Sequence, residues 1–137
     1  MKIAVIGAGA SGMAAALQAA WQGAGVCLLE RNPVVGRKLL VTGSGRCNLT
    51  NAAVAAERYA CSDPVWLDAL FRRFGVADLL AMLGSIGIPV QNTADGWYYP
   101  LSNSAQSVVE AFSSALERAG VALSLQTQVT GLRSCAG

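Results

Sequence analysis

Three glycines and one acid in this chain are spaced to hold a pyrophosphate and a ribose: Gly7, Gly9 and Gly12, then Glu30. Gly7 allows a sharp turn off a preceding strand. Gly9 has no Cβ to keep an anion away from the backbone, and Gly12 lets a following helix pack closely on the strand. The first turn of that helix, with Ala10 and Ser11, offers unpaired N–H groups and a positive dipole end to phosphate. Glu30 closes the next apolar run. A carboxylate there accepts both hydroxyls of an adenosine ribose and repels a 2′-phosphate, so FAD or NAD suits the pattern better than NADP.

A strand, a helix and a second strand must position these groups. Residues 3–6 are an apolar run, residues 10–22 are helix-compatible, and residues 26–29 are a second apolar run. This is the layout of a dinucleotide-binding βαβ unit. A GxGxxG arises by chance in glycine-rich turns, but here Ala16, Gly23, Val26 and Glu30 follow at fixed offsets. The whole run resembles the long fingerprint of the two-dinucleotide-binding-domain flavoproteins.

A second constellation follows at residues 36–51, GRKLLVTGSGRCNLTN. Arg37, Lys38 and Arg46 are cationic, and Gly43, Ser44 and Gly45 make a flexible turn. Successive N–H groups in such a turn can form an anion-binding nest. By composition alone a solvated basic loop is an equal alternative. The block resembles the signature of the BaiN-like flavoproteins, also called aminoacetone-oxidase-family FAD-binding enzymes, in which GRK-[LI]-x-x-[ST]-G-x-G-R-C-N follows the ribose-binding acid. The resemblance covers the whole chain. It implies FAD as cofactor, with Arg37, Lys38, Ser44, Gly45, Arg46 and Asn48 along the diphosphate, ribityl chain or flavin ring. Arg31, next to the acid, is counted with them. Ser44 stands where the family more often has glycine, and tolerance is expected because serine is small. The resemblance also implies that Val129 touches the adenine through its backbone; from the residues alone it is an ordinary sheet valine.

Cys47 beside a flavin has two readings, a nucleophile or redox partner and a small buried residue that packs the loop. No second cysteine lies near it in sequence and no histidine is present to activate it. Packing is the favoured reading, and no catalytic residue is assigned.

Composition narrows the classes. The 137 residues suit one domain, and 53% hydrophobic against 13% charged residues supply a core. No apolar run reaches the length of a membrane span, and the N-terminus enters a strand without a signal-peptide pattern. A cytoplasmic protein with no membrane partner is expected. A net charge of +2 is too mild to argue for nucleic acid. The absence of histidine removes the usual triads and most transition-metal sites, so no metal site is expected. Cys27, Cys47, Cys61 and Cys135 form no CxxC pair, so neither a zinc knuckle nor a dithiol motif is expected, nor are cytosolic disulfides.

Further along, residues 52–61 read as a loop or short helix. Ser62-Asp63-Pro64 signals a helix start. Trp66, Leu67, Leu70, Phe71 and Phe74 then make an apolar face, expected to be core. Residues 78–86 read as a second short helix. Residues 88–91 and 97–100 are strands around an Asp-Gly turn, with Tyr98 and Tyr99 expected to pack the hairpin. Residues 105–119 are an amphipathic helix, and residues 121–125 and 128–134 are strands. The expected fold is α/β: a Rossmann-like FAD-binding domain with a parallel sheet in order 3-2-1. It is incomplete, with a helical and hairpin insertion at about residues 52–103 between strands 2 and 3.

The resemblance implies a function as well. Residues 1–137 would be the N-terminal part of an FAD-binding domain in an FAD-dependent oxidoreductase about three times as long, and the isolated piece would be inactive. Hydride would pass through flavin N5 to or from a small organic substrate, with NAD(P)H as a candidate electron donor. The alternatives are a non-catalytic dinucleotide-binding module or truncated relic, and an FAD protein that modifies tRNA. Low charge and the lack of a basic stripe argue against the last of these.

Overall fold

The computed structural model describes residues 1–134. In chain order the elements are β1 (Lys2–Ile6), α1 (Ala10–Trp21), β2 (Gly25–Leu29), β3 (Thr50–Asn51), α2 (Pro64–Arg73), α3 (Val76–Ser85), β4 (Val90–Asn92), β5 (Trp97–Pro100), α4 (Ala105–Arg118) and β6 (Ala122–Ser124), with 3-10 turns at Leu39–Gly45 and Ala56–Arg58. They form two compact units: Met1–Leu40 with the chain from Phe112 onward, and Val41–Ala111.

In the first unit β1, β2 and β6 form a parallel sheet in that order. Lys2 pairs with Gly25 through to Ile6 with Leu29, and Cys27 with Ala122 through to Leu29 with Ser124. This is the Rossmann order 3-2-1 expected from the sequence. Met13, Ala16 and Leu17, spaced i, i+3, i+4, put the buried stripe of α1 on one side, and Val26 and Leu28 of β2 are buried as well. Gly23, at φ +82°, closes α1 by donating to the Ala20 carbonyl at 2.9 Å.

The strand expected over 128–134 does not form within the described residues. After β6, Gln126 takes a left-handed backbone (φ +51°). Its N–H donates to the Asn32 carbonyl at 3.1 Å, and the Thr127 N–H donates to the Glu30 carbonyl at 2.8 Å. These main-chain groups are spent on the loop after β2 rather than on a sheet neighbour. Cys135, within the expected bland end, lies outside the described residues.

The second unit holds an antiparallel sheet in order β3-β5-β4. Strand β3 escaped the sequence reading because two residues show no period. It pairs Thr50 with Tyr98 and Asn51 with Trp97. Asp63 caps α2, its carboxylate accepting the Trp66 N–H at 2.9 Å, with Pro64 in the first turn. Helix α3 starts at Val76, two residues before the expected point. The Asp78 carboxylate reaches back to accept the Gly75 N–H at 2.7 Å, which fixes the start. The apolar face of α2 departs from expectation. Only Leu67 of that face is buried, while Trp66, Leu70 and Phe74 are 59%, 42% and 46% exposed. The helix packs on the 3-10 turn at Ala56–Arg58, which is too short to cover the whole stripe.

Candidate dinucleotide site

The turn after β1 carries the first set of site residues. Gly7 sits at φ +92° and donates its N–H to the Leu29 carbonyl at 2.7 Å, tying the turn to the end of β2. Gly9 caps α1 with extended backbone and no side-chain cap, and the first turn holds no acidic residue. Its carbonyl accepts the Met13 N–H at 2.9 Å. The N–H groups of Ala10, Ser11 and Gly12 lie before the first intrahelical donor, so the helix leaves them without an acceptor of its own. A Cβ built on Gly9 meets nothing within 4 Å. One built on Gly12 runs into the Gly7 carbonyl oxygen and lies 3.6 Å from Val5 Cγ1. Gly9 is therefore open to an approaching anion, while Gly12 is required by packing.

Glu30 is a buried acid at the tip of β2. Its Oε2 accepts the Ala8 N–H at 2.7 Å. Its Oε1 accepts the Asn32 N–H at 2.8 Å and the Asn32 Nδ2–H at 2.6 Å. Asn32 Oδ1 in turn accepts from Arg37 Nη1 at 3.0 Å. The Asn32 backbone N–H, opposed by burial and reinforced by the Ala8 N–H, the Asn32 side chain and the charge of Arg31, holds the Glu30 carboxyl below its ordinary value. An ionised carboxylate has about four acceptor positions. Three are used here, which leaves Oε2 a place for a hydroxyl.

A cleft of about 200 Å³ opens at this point, lined by Gly7, Glu30, Arg31, Thr127 and Val129 among others. Four of the expected site residues, Gly7, Glu30, Arg31 and Val129, therefore meet in one cavity. Val129 reaches it from an irregular segment rather than from a strand. The Gly36 N–H donates to the Ala8 carbonyl at 2.7 Å, fastening the loop after Glu30 to the glycine turn. Arg37 and Lys38 follow, both exposed. Asn32 is the residue that the sequence reading missed. The signal was present, since an Asn two residues after an acid can close a local turn with its backbone and side chain.

Ser44, Gly45, Arg46 and Asn48 belong to the second unit and do not line the Glu30 cleft. Gly43, Ser44 and Gly45 all take positive φ, +55°, +55° and +84°, and Cys47 does so at +60°. The turn is closed by Arg46 N–H to the Gly43 carbonyl and Cys47 N–H to the Thr42 carbonyl, both 3.1 Å. The Arg46 guanidinium lies 4.6 Å from the centroid of the Tyr99 ring, and its Nε–H donates to the Gly43 carbonyl at 3.3 Å. What limits position 44 is therefore backbone conformation rather than size: a left-handed residue favours glycine. Cys47 is fully buried. Burial pushes its thiol up, against a smaller opposing effect from the Thr42 side chain, and so disfavours the reactive thiolate. Cys27, Cys47 and Cys61 are free thiols.

A parallel 3-2-1 sheet, a glycine turn into an uncapped helix and a buried acid at the tip of the second strand define a Rossmann dinucleotide-binding fold. The chain belongs to the HI0933-like protein Rossmann domain family, whose profile matches residues 1–136. That family is one of flavoproteins, and FAD is its cofactor. Among curated relatives, the chain is 37% identical over 134 residues to the 3-dehydro-bile acid delta(4,6)-reductase of Clostridium scindens, covering 96% of this chain and 32% of that protein. It is 31% identical over 125 residues to the ribosomal RNA dihydrouridine synthase of Escherichia coli, covering 91% of this chain and 31% of that one. The chain thus spans about a third of the length of the curated relatives it matches. Among solved structures it resembles THI4 of Thermovibrio ammonificans in fold, with a TM-score of 0.62 at 16% identity over 90% of this chain and 38% of that one. Among the described residues, no helix is long and apolar enough to cross a membrane.

The residues present fit the adenosine diphosphate half of FAD. Gly9 leaves room for an anion, the α1 N-terminus has no cap to compete with it, and Glu30 keeps an acceptor for a hydroxyl.

Proposed function

We propose that residues 1–137 are the N-terminal, FAD-holding part of a cytoplasmic flavin-dependent oxidoreductase, with residues 52–103 as an insertion between the second and third sheet strands. The observation that carries this reading is the hydrogen bond from the Ala8 N–H to Glu30, which locks an ionised acid against the glycine turn. In this proposal Gly7, Gly9 and the N–H groups of Ala10, Ser11 and Gly12 receive the diphosphate. Glu30, flanked by Arg31, takes the ribose hydroxyls, and Val129 borders the adenine. Arg37, Lys38 and Arg46 offset phosphate charge, and Ser44, Gly45 and Asn48 line the remainder of the cofactor. Bound there, FAD supplies hydride transfer at its N5.

The substrate is proposed as a small organic molecule with a reducible carbon–carbon double bond, and NAD(P)H as the electron donor. The names of both relatives support the double bond, since delta(4,6)-reduction and the making of dihydrouridine each saturate one. The likeness to ribosomal RNA dihydrouridine synthases favours a second reading, in which the double bond belongs to a uracil base in RNA. The mild net charge argued against nucleic acid, but it describes a chain that matches only about a third of those relatives.

The test is the absorption spectrum of the purified protein. Flavin bands, with FAD released on denaturation, are expected. A colourless protein that binds NAD instead overturns the reading. For the substrate, flavin reoxidation by a conjugated enone is compared with reoxidation by a uridine-containing RNA.

A further inference from the structure

Within the second unit, two cavities share a wall. The larger, about 500 Å³, runs past Asn48, Asn51, Arg58 and Trp97. The smaller, about 200 Å³, runs past Phe71, Phe74, Val76 and Leu79. Thr50, Val54 and Tyr59 line both, so the two adjoin along these side chains, and a ligand reaching from one into the other would occupy them as one trough.

The ends differ in chemistry. At the wide end Asn48, Thr50 and Tyr59 can donate or accept, while Arg58, with five N–H donors, and Trp97 can only donate. The Asn51 Oδ1 already accepts the Ala53 N–H at 2.8 Å, which leaves its amide NH₂ to donate. No carboxylate lines either cavity, and among the described residues none pairs with Arg58. The narrow end is apolar and aromatic, with the Tyr59 and Phe71 rings 5.3 Å apart and tilted at 53°. Tyr59 and Phe74 stay about half exposed there.

We infer that this trough binds an elongated organic anion, with its apolar body against Phe71, Phe74 and Leu79 and its carboxylate, or an equivalent oxyanion, at Arg58. A guanidinium matches a carboxylate with two parallel hydrogen bonds. The cavity volume suits a ligand of drug-like size. The inference stands apart from the FAD reading: no residue of the Glu30 cleft lines the trough, and Asn48 is the one residue proposed to contact FAD that touches it.

The probes are 1-pyrenebutyrate and its neutral twin 1-pyrenebutanol, titrated by fluorescence into the full chain with the flavin it carries. The anion is expected to bind roughly tenfold more tightly than the alcohol, the size of one charge-assisted contact. Arg58→Gln, at an exposed position, should abolish that difference while leaving the alcohol unchanged. Val54→Trp should weaken both probes by filling the shared wall, with circular dichroism reporting that each variant is folded. Equal affinity for the two probes overturns the inference, as does an Arg58→Gln variant that still discriminates, or no binding of either probe. Stoichiometric release of flavin on probe binding also overturns it, because the trough would then be part of the cofactor site. Flavin absorbance in the same cuvette reports separately on the FAD reading.

Discussion

The Ala8 N–H donates to Glu30 Oε2 at 2.7 Å, so the acid at the tip of β2 and the glycine turn form one hydrogen-bonded unit although 22 residues separate them. On the other side Asn32 holds Oε1 with both its backbone and its side chain. The carboxylate is oriented before any ligand arrives, which lowers the ordering cost of binding.

Asn32→Ala tests that orientation. It removes the Nδ2 hydrogen bond and the link to Arg37 but keeps the backbone N–H. A side-chain hydrogen bond to a charged group is worth about 1.5 kcal/mol. FAD retention, measured by equilibrium dialysis against free FAD, is expected to fall roughly tenfold. Retention equal to wild type would mean that Asn32 does not position the acid.

Gly9 and Gly12 have different roles, and alanine separates them. Gly9 has extended backbone and open space for a Cβ, so Gly9→Ala should leave thermal stability within about 0.5 kcal/mol of wild type while obstructing FAD. Gly12→Ala drives a Cβ into the Gly7 carbonyl, a backbone atom with no rotamer to yield, and should cost about 3 kcal/mol. Denaturant titration of each apoprotein checks the pair. Two similar stabilities would contradict the assignment.

Ser44→Gly should stabilise the protein. Ser44 has φ +55° and ψ +42°, and a non-glycine residue pays about 1 kcal/mol for that left-handed conformation. The gain, read as a higher denaturation midpoint at unchanged slope, should be somewhat smaller because glycine also loosens the unfolded chain. A lower midpoint would mean that the serine hydroxyl makes a compensating contact.

The sequence carried the βαβ unit almost to the residue, because two spacings constrain it at once. The glycines at 7, 9 and 12 set the turn, and the apolar runs before and after set the strands. It also carried the Asp63 cap and the 97–100 strand. It missed β3, because Thr50 and Asn51 become a strand only through Trp97 and Tyr98, a partner far along the chain. It placed a strand at 128–134 because Val129 and Leu132 suggest one, whereas the main chain of Gln126 and Thr127 is committed to Asn32 and Glu30. Helix α2 reads as a core helix by period alone, since an apolar stripe does not say whether anything covers it. Asn32 was overlooked for a related reason: its importance lies in the rotamer of another side chain.

Cys47 should be chemically silent in the folded protein. The thiolate is the reactive form, and burial pushes this thiol up while hiding it from reagent. With iodoacetamide at neutral pH, Cys27 and Cys61, both partly exposed, should be alkylated first, as read by peptide mass spectrometry. Early labelling of Cys47 would reopen the redox reading.

Glu30 should give the protein an acid limit. Its carboxyl is held below the ordinary value of 4.5 by the N–H groups of Asn32 and Ala8, so the folded state prefers it ionised. The stability that this supplies is fully present above the unfolded value and is lost as pH falls through the lower, folded one. Protonation also removes the acceptor left for a ribose hydroxyl, so FAD retention should fall over the same acid window, below pH 4.5. Glu30→Gln keeps the shape but has no such titration. Its stability profile should be flatter on the acid side, and its FAD affinity should be weaker at neutral pH. A variant whose acid unfolding and FAD loss follow the wild-type curve would show that another carboxylate sets the limit.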